Sequence, residues 1–423
     1  MTDDNSFGSE VSEFGTSEPK LLFNPFDAAF RADPYPFYDR LRDTEPVHVS
    51  PFGFVVLSKY DDVARTLRGA EFARDIEAHV AERPDDPRRE RRERLRQRRE
   101  DGTAAKTILN LDPPDHTRLR RLVSLAFTPT AIERLRPRVQ QLVDAALDRA
   151  ADRGTIELVE ELAFPVPFQV ISDLLDLPTD RTADVREWSQ ALTASLEPTA
   201  DDATLDASEH AGGEMGRYLS EVIADRRQHP GDDLLSALIA AEEAGDRMSE
   251  AELRSFLILL YVAGHETTVN LIGNGMLALL RHPDEMRRWA ADPSLDASAM
   301  DELLRYDGPV QHTVRVPTVD VRYGDVEVAK GTMVMTLLGA ANHDPAVFDE
   351  PHRLRLDRQG ANRHLAFAAG VHYCLGASLA KLETSVALTT LIRRFPDVAL
   401  DGEVSWRDRL TIRGVDRLPL AVR

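Results

Sequence analysis

Apolar residues recur at three- and four-residue steps along most of the chain, and only a few stretches alternate. Lys59 to Leu67 reads as a helix opening after Ser58, with Pro114 to Ala126 and Pro129 to Arg149 as the next two. Thr155 to Leu177 carries an apolar run with Pro165 and Pro167, which predicts a strand-like entry and then a helix. Asp180 to Arg227 holds two longer helices around a polar, glycine-containing middle. Ser249 to Leu280 is one long helix, in which Ser249 caps the start and Glu252 completes a capping box. Asp284–Ala291 and Ser298–Tyr306 are short helices. Val314 to Leu338 alternates around Gly324 and Lys330–Gly331, the pattern of hairpin strands. Leu375 to Phe395 is a last helix before a strand-like tail. The pattern is that of a mainly α protein with a small sheet region. No repeat and no Gly/Ser linker interrupts it, so residues 21–423 read as a single domain. Residues 1–20 read as a disordered tail, acidic and rich in Ser and Gly.

Charge narrows the partners. The 423 residues hold 52 Lys plus Arg against 72 Asp plus Glu, a net −20. Nucleic-acid binding needs a basic face, so this balance argues against it, and it favours a monomer that repels its own copies. The longest apolar run, Phe256 to Gly264, is nine residues, against about 20 for a membrane span. Residues 1–20 carry five acids and one Lys, unlike a secretory signal, so the cytoplasm is the expected compartment. Only five of the 52 basic residues are Lys, which suggests a GC-rich bacterial coding sequence. Residues 82–100 hold nine Arg and six acids, the composition of a solvated, salt-bridged helix or loop.

The single cysteine, Cys374, excludes an internal disulfide and any multi-cysteine zinc site. It leaves a core residue, a nucleophile, a redox sensor or the sole thiolate ligand of a cofactor metal. Cys374 lies between a glycine-containing turn and the last helix, whose amino end favours a thiolate over a thiol of pKa about 8.5. Gly370 and Gly376 remove side chains on both sides, so a flat ligand can approach the backbone. His372, two residues before the cysteine, is badly spaced to act as its base, which weakens a cysteine-hydrolase reading.

The run Phe367-Ala-Ala-Gly370-Val-His372-Tyr-Cys374-Leu-Gly376 resembles the haem-binding loop of the cytochrome P450 superfamily, F-G-x-G-x-H/R-x-C-x-G. Ala368 departs from it, standing where the family usually has Gly. The resemblance makes Cys374 the axial thiolate of haem b, a ligand that favours O–O cleavage. Other segments match in family order. Glu302-Leu-Leu-Arg305 lies 72 residues before Cys374 and resembles the family's buried ExxR pair. ExxR alone is weak, occurring seven times here, but with Arg353 it would complete a structural triad. In Ala263-Gly264-His265-Glu266-Thr267-Thr268 the family assigns Thr267 to hydrogen-bond the iron-bound dioxygen and Glu266 to relay protons. Ala263 and Gly264 would leave room above the haem. Asp112-Pro-Pro-Asp-His116 with Arg120, together with Arg315 and His372, resembles the partners of the haem propionates.

The fold implied is the family's triangular helical prism with a small β-sheet region. The activity implied is a monooxygenase that inserts one oxygen atom from dioxygen into a medium-sized lipophilic substrate, by hydroxylation or else epoxidation. A polyketide, macrolide, terpenoid or steroid would fit. Electrons would come from NAD(P)H through a ferredoxin and its reductase, docking near Arg118, Arg121 and Lys381 on the Cys374 side. Residues 75–108 would form a variable loop over the haem and residues 180–228 lid helices. Leu260, Tyr261, Val310, Gln311, Thr411 and Ile412 would line the substrate pocket. A non-catalytic haem sensor or carrier is the alternative, which the Glu266–Thr267 pair disfavours.

Overall fold

The computed structural model describes residues 28–80, 89–197, 200–241 and 245–423. The expected tail, residues 1–20, lies outside the described residues. The helices that position the site are α1 (Tyr35–Thr44), α2 (Tyr60–Arg68), α3 (Arg89–Glu100), α4 (Asp115–Ala126), α5 (Arg136–Arg153), α6 (Pro165–Leu174), α7 (Thr182–Ala194), α8 (Asp202–Gln228), α9 (Glu250–Arg281), α10 (Asp296–Asp307) and α11 (Ala377–Arg394).

Helix α9 organises the rest. Its 32 residues span about 48 Å at 1.5 Å each. The capping box is formed: Ser249 Oγ accepts from Glu252 N at 3.2 Å, and Ser249 N donates to the Glu252 carboxylate at 2.8 Å. A helix apolar nearly all round must be buried, and α6, α8, α10 and α11 pack around it. It is the one described helix long and apolar enough to cross a membrane, and 67% of its apolar window is buried inside the protein.

The expected helix Pro129–Arg149 is two helices, Pro129–Glu133 and α5. Pro137 is the reason: it has no N–H to give and its ring would strike the carbonyl four residues back, so the chain restarts just before it. The stretch expected as a loop over the haem contains α3, while residues 81–88 lie outside the described residues. Several arginines of α3 form ion pairs, as their composition predicts: Arg91 with Asp206 at 2.5 Å, Arg94 with Glu209 at 3.3 Å and Arg99 with Glu77 at 2.6 Å.

The main sheet has the strands β1 (Val47–Val49), β2 (Val55–Leu57), β3 (Phe72–Ala73), β4 (His312–Pro317) and β5 (Val334–Leu337), in the order β1-β2-β5-β4-β3. The β2–β5 pair is parallel, with Val55 opposite Val334, and the others are antiparallel. Register places Arg315 opposite Val334 and His312 opposite Leu337. Near the end, β6 (Ser405–Trp406) and β7 (Val415–Arg417) form a hairpin whose loop bridges to Val310 through Ile412.

Candidate active site

Cys374 sits between a short 3-10 turn, Gly370–His372, and the start of α11. Its N–H donates to Phe367 O at 3.0 Å, closing the loop. Burial pushes the thiol up, while the Gly376 N–H on the sulfur and the nearby Arg120 draw it back toward the thiolate. Gly370 adopts φ +73°, and a Cβ there would lie 2.5 Å from Leu67 O, so this glycine lets the loop rest on the end of α2. A Cβ on Gly376 meets nothing within 4 Å, so only this second glycine leaves open space. Ala368 also adopts a left-handed conformation, φ +58°, which an alanine takes only at a penalty.

Beside this loop lies a group of arginines and imidazoles. The His116 and His372 rings stand 4.2 Å apart. His116 Nδ1 and His372 Nε2 are buried with no hydrogen-bond partner among the described residues. Arg315 is 3% exposed and donates to Thr313 Oγ1 at 3.2 Å and Val314 O at 2.9 Å. Burial, with Arg74 adding to it, pulls Arg315 down to about 9. Burial and the surrounding His116, Arg315, Arg74 and Arg120 pull His372 down to about 3. Like charges held together in a dry setting need anions, and Asp112 is the nearby acid that offsets Arg74 and Arg315.

On α9 the open face is narrow. Ala263 is exposed and Leu260, Gly264 and Thr267 are half-buried, although the helix is otherwise a core element. Thr267 Oγ1 donates to Ala263 O at 2.8 Å and Thr268 Oγ1 to Gly264 O at 3.1 Å. A Cβ on Gly264 would lie 2.8 Å from Ile171 Cδ1. Gly264 therefore serves close packing on α6, and Ala263 alone provides the room expected of the pair. Glu266 is 2% exposed and bound to Arg407 and, at 2.8 Å, to Arg409.

The expected pocket residues divide. Tyr261 is fully buried with its hydroxyl 2.9 Å from Ser172 Oγ, and Gln311 accepts from Tyr38 Oη at 3.0 Å and donates to Gly308 O at 2.8 Å. Both are committed to the framework. Ile412 is buried in a bridge with Val310, whereas Leu260, Val310 and Thr411 stay partly open.

Glu302 and Arg305 lie fully buried, joined by two hydrogen bonds of 2.6 and 2.8 Å. The third member of this cluster is Arg358, whose Nε stands 3.0 Å from both Glu302 oxygens. Arg353 is not part of it: its side chain is 67% exposed and 3.5 Å from Glu350. Only its backbone carbonyl contributes, accepting from Arg358 at 2.7 Å.

A family model for Cytochrome P450 matches residues 47–292 and 293–408. The chain belongs to the cytochrome P450 family. This P450 is 41% identical over 417 residues to Cytochrome P450 107B1 of Saccharopolyspora erythraea, across 95% of this chain and 98% of that protein. It is 40% identical over 418 residues to the Cytochrome P450 monooxygenase PikC of Streptomyces venezuelae, across 96% and 95%. Its fold matches the solved structure of the Bacillus subtilis bacillaene polyketide synthase cytochrome P450 PksS, with a TM-score of 0.85 at 35% identity, covering 95% of this chain and 99% of that one. The enzyme is thus a bacterial-type P450 monooxygenase, of a family that uses haem iron and dioxygen and takes electrons from a redox partner.

The residues present fit that haem. A lone thiol beside an open glycine, together with an arginine cluster flanked by two orphaned imidazole nitrogens, provides for a metal and for two carboxylates. Two expected docking cations of this P450 are occupied: Arg118 by Glu252 and by Asp246 at 3.5 Å, and Lys381 by Asp301. Arg358, Arg74, Arg407 and Arg409 were not legible as site residues. Arg is the commonest cation here, and no local spacing separates Arg358 from Arg353.

Proposed function

We propose that this P450 is a haem-thiolate monooxygenase that hydroxylates, or secondarily epoxidises, a medium-sized lipophilic natural product, with Cys374 as the metal ligand. The observation that carries the reading is the Cys374 loop with its cluster of Arg74, Arg120, Arg315, His116 and His372, whose buried ring nitrogens lack partners. When bound, haem b supplies the reduction of dioxygen and the transfer of one oxygen atom to substrate.

The protein's residues do the rest. Arg120 and Arg315, joined by Arg74, would neutralise the two propionates, and the neutral imidazoles of His116 and His372 would hydrogen-bond to them. Phe367, Gly370 and Gly376 shape the loop around the thiolate. Thr267 presents a hydroxyl on the open face of α9, and Glu266 holds and moves a proton one residue away. The apolar walls exclude water from the reacting carbon. Leu260, Val310 and Thr411 contribute to the seat, and the kinship to a polyketide-synthase P450 supports a polyketide or macrolide. Electrons come from NAD(P)H through a ferredoxin and its reductase, in the cytoplasm, to a monomer.

The test is the reduced protein with carbon monoxide, which should show the red-shifted Soret band of thiolate-ligated haem. Cys374→Ala should lose it; retention of the band would overturn the ligand assignment. Thr267→Ala should divert reducing equivalents to peroxide, and unchanged coupling would remove Thr267 from this role.

A further inference from the structure

Glu266, read above as a proton carrier, does not rest toward the open face of α9. One of its oxygens, Oε1, takes both Arg407 and Arg409. Both arginines come from the loop joining β6 to β7, far away in sequence. The other oxygen lies 3.8 Å from His265 Nε2, a buried nitrogen with no hydrogen-bond partner among the described residues. Arg407 Nε is likewise buried and unsatisfied, 3.9 Å from Asp416. A carboxylate shared by two guanidiniums is a poor proton shuttle until one of them withdraws.

The same loop is tied to two other places. Glu197, three residues past the end of α7 and 7% exposed, accepts the N–H groups of Leu410 at 2.8 Å and Thr411 at 3.2 Å on one oxygen. Gln311 N donates to Thr411 O at 3.2 Å, and Arg413 N donates to Pro309 O at 2.8 Å. A ligand resting on Thr411 and Val310 therefore touches the segment that carries the two arginines.

We propose that Arg407 and Arg409 are positioning residues that hold Glu266 off the reacting face, and that Glu197 couples their loop to the α7 end of the lid. A substrate seated against Thr411 shifts the loop, withdraws a guanidinium and frees Glu266 to carry protons from water to the Thr267 face. The device prevents proton delivery, and hence wasted oxygen reduction, in the empty enzyme. It rests on the reading of Glu266 given above.

The experiment uses haem-loaded enzyme with its electron supply and no substrate, and measures oxygen consumption in H₂O and D₂O. Arg407→Gln/Arg409→Gln should raise substrate-free consumption about fivefold. Adding Glu266→Gln should return it to the wild-type level or below, and Arg407→Lys/Arg409→Lys should stay close to wild type. If Glu266→Gln alone leaves both the rate and the D₂O effect unchanged, the proton-carrier reading fails. If Glu266→Gln slows the reaction but the glutamine pair changes nothing, or acts equally without Glu266, the positioning role fails while the carrier stands.

A second readout needs no turnover. Amide exchange of Leu410 and Thr411 in the loaded protein should rise about tenfold in Glu197→Ala, the loss of roughly one hydrogen bond's protection. It should stay near wild type in Glu197→Gln, which keeps an acceptor oxygen. Equal exchange in wild type and Glu197→Ala would break the link to the lid. If the double variant does not load haem, Arg409→Gln alone keeps Arg407 and serves in its place.

Discussion

Two buried clusters in this molecule share one formula, a glutamate between two arginines, and differ in everything that surrounds it. Glu302 uses both oxygens, on Arg305 and Arg358, and also accepts the N–H of Arg355 at 3.0 Å. The remaining guanidinium N–H groups reach the carbonyls of Asn342, Pro351, Asp349, Glu350 and Arg353. Glu266 uses one oxygen for both partners and leaves Arg407 Nε and His265 Nε2 unsatisfied. A satisfied network has one arrangement, because any movement strands a buried polar atom. A half-satisfied network on a hairpin loop has somewhere else to go. The first cluster is a rivet between α10 and the loop before Cys374, and the second is a catch.

The largest effect should come from removing the rivet. Glu302→Ala leaves two buried guanidiniums without their counter-ion and should destabilise by about 3–5 kcal/mol, read as a loss of haem-loaded protein and of cooperative unfolding. Arg358→Ala should behave similarly, while Arg353→Ala, on an exposed side chain, should change stability by no more than about 0.5 kcal/mol. Equal effects of the two arginine changes would break the contrast drawn here. The catch should respond differently: Arg409→Gln should alter oxygen consumption without substrate far more than the melting temperature.

A smaller effect tests the edge of the rivet. His343 is 2% exposed, with Nε2 on Tyr306 O at 2.8 Å and Nδ1 3.2 Å from His352 Nδ1. Burial, and then Arg305, hold its pKa well below the ordinary value. Folded His343 is therefore neutral where the unfolded imidazole, near ~6.5, begins to bind protons. The unfolded state then holds more protons, so stability falls as pH drops below about 6.5. His343→Gln should flatten, without abolishing, the fall in melting temperature between about pH 6.5 and pH 5, since other depressed histidines keep the same sign. An unchanged slope would exclude His343 from this response.

The smallest effect belongs to the cysteine loop, outside both clusters. Ala368→Gly relieves a left-handed alanine worth about 1–2 kcal/mol but frees the unfolded chain by about 0.4–1 kcal/mol. A net gain of roughly 0.5–1 kcal/mol should appear in denaturant melts. Gly370→Ala should go the other way, because its Cβ would meet Leu67 O at 2.5 Å as well as the unfavourable φ.

Much of the fold could be read along the chain because its signals are local. The capping box at Ser249, the period of α9 and the alternation around β4 and β5 depend on neighbours a few residues away. The break before Pro137 is equally local, but an apolar period runs across it and conceals it. The packing roles of Gly264 and Gly370 are not legible in the sequence for another reason. What a missing Cβ makes room for, Ile171 in one case and Leu67 in the other, lies far off in sequence. Long stretches of sequence likewise separate Glu302 from Arg358 and Glu266 from Arg407.

By itself, then, the sequence determined the helical architecture, the family's cysteine loop and the candidate acid–alcohol pair, since each is written in contiguous residues. Tertiary structure alone decided which of many arginines meets which glutamate and which buried nitrogens are left without partners. Those choices depend on where a guanidinium can reach both oxygens of a buried carboxylate, and such a geometry exists only once the chain has closed around it.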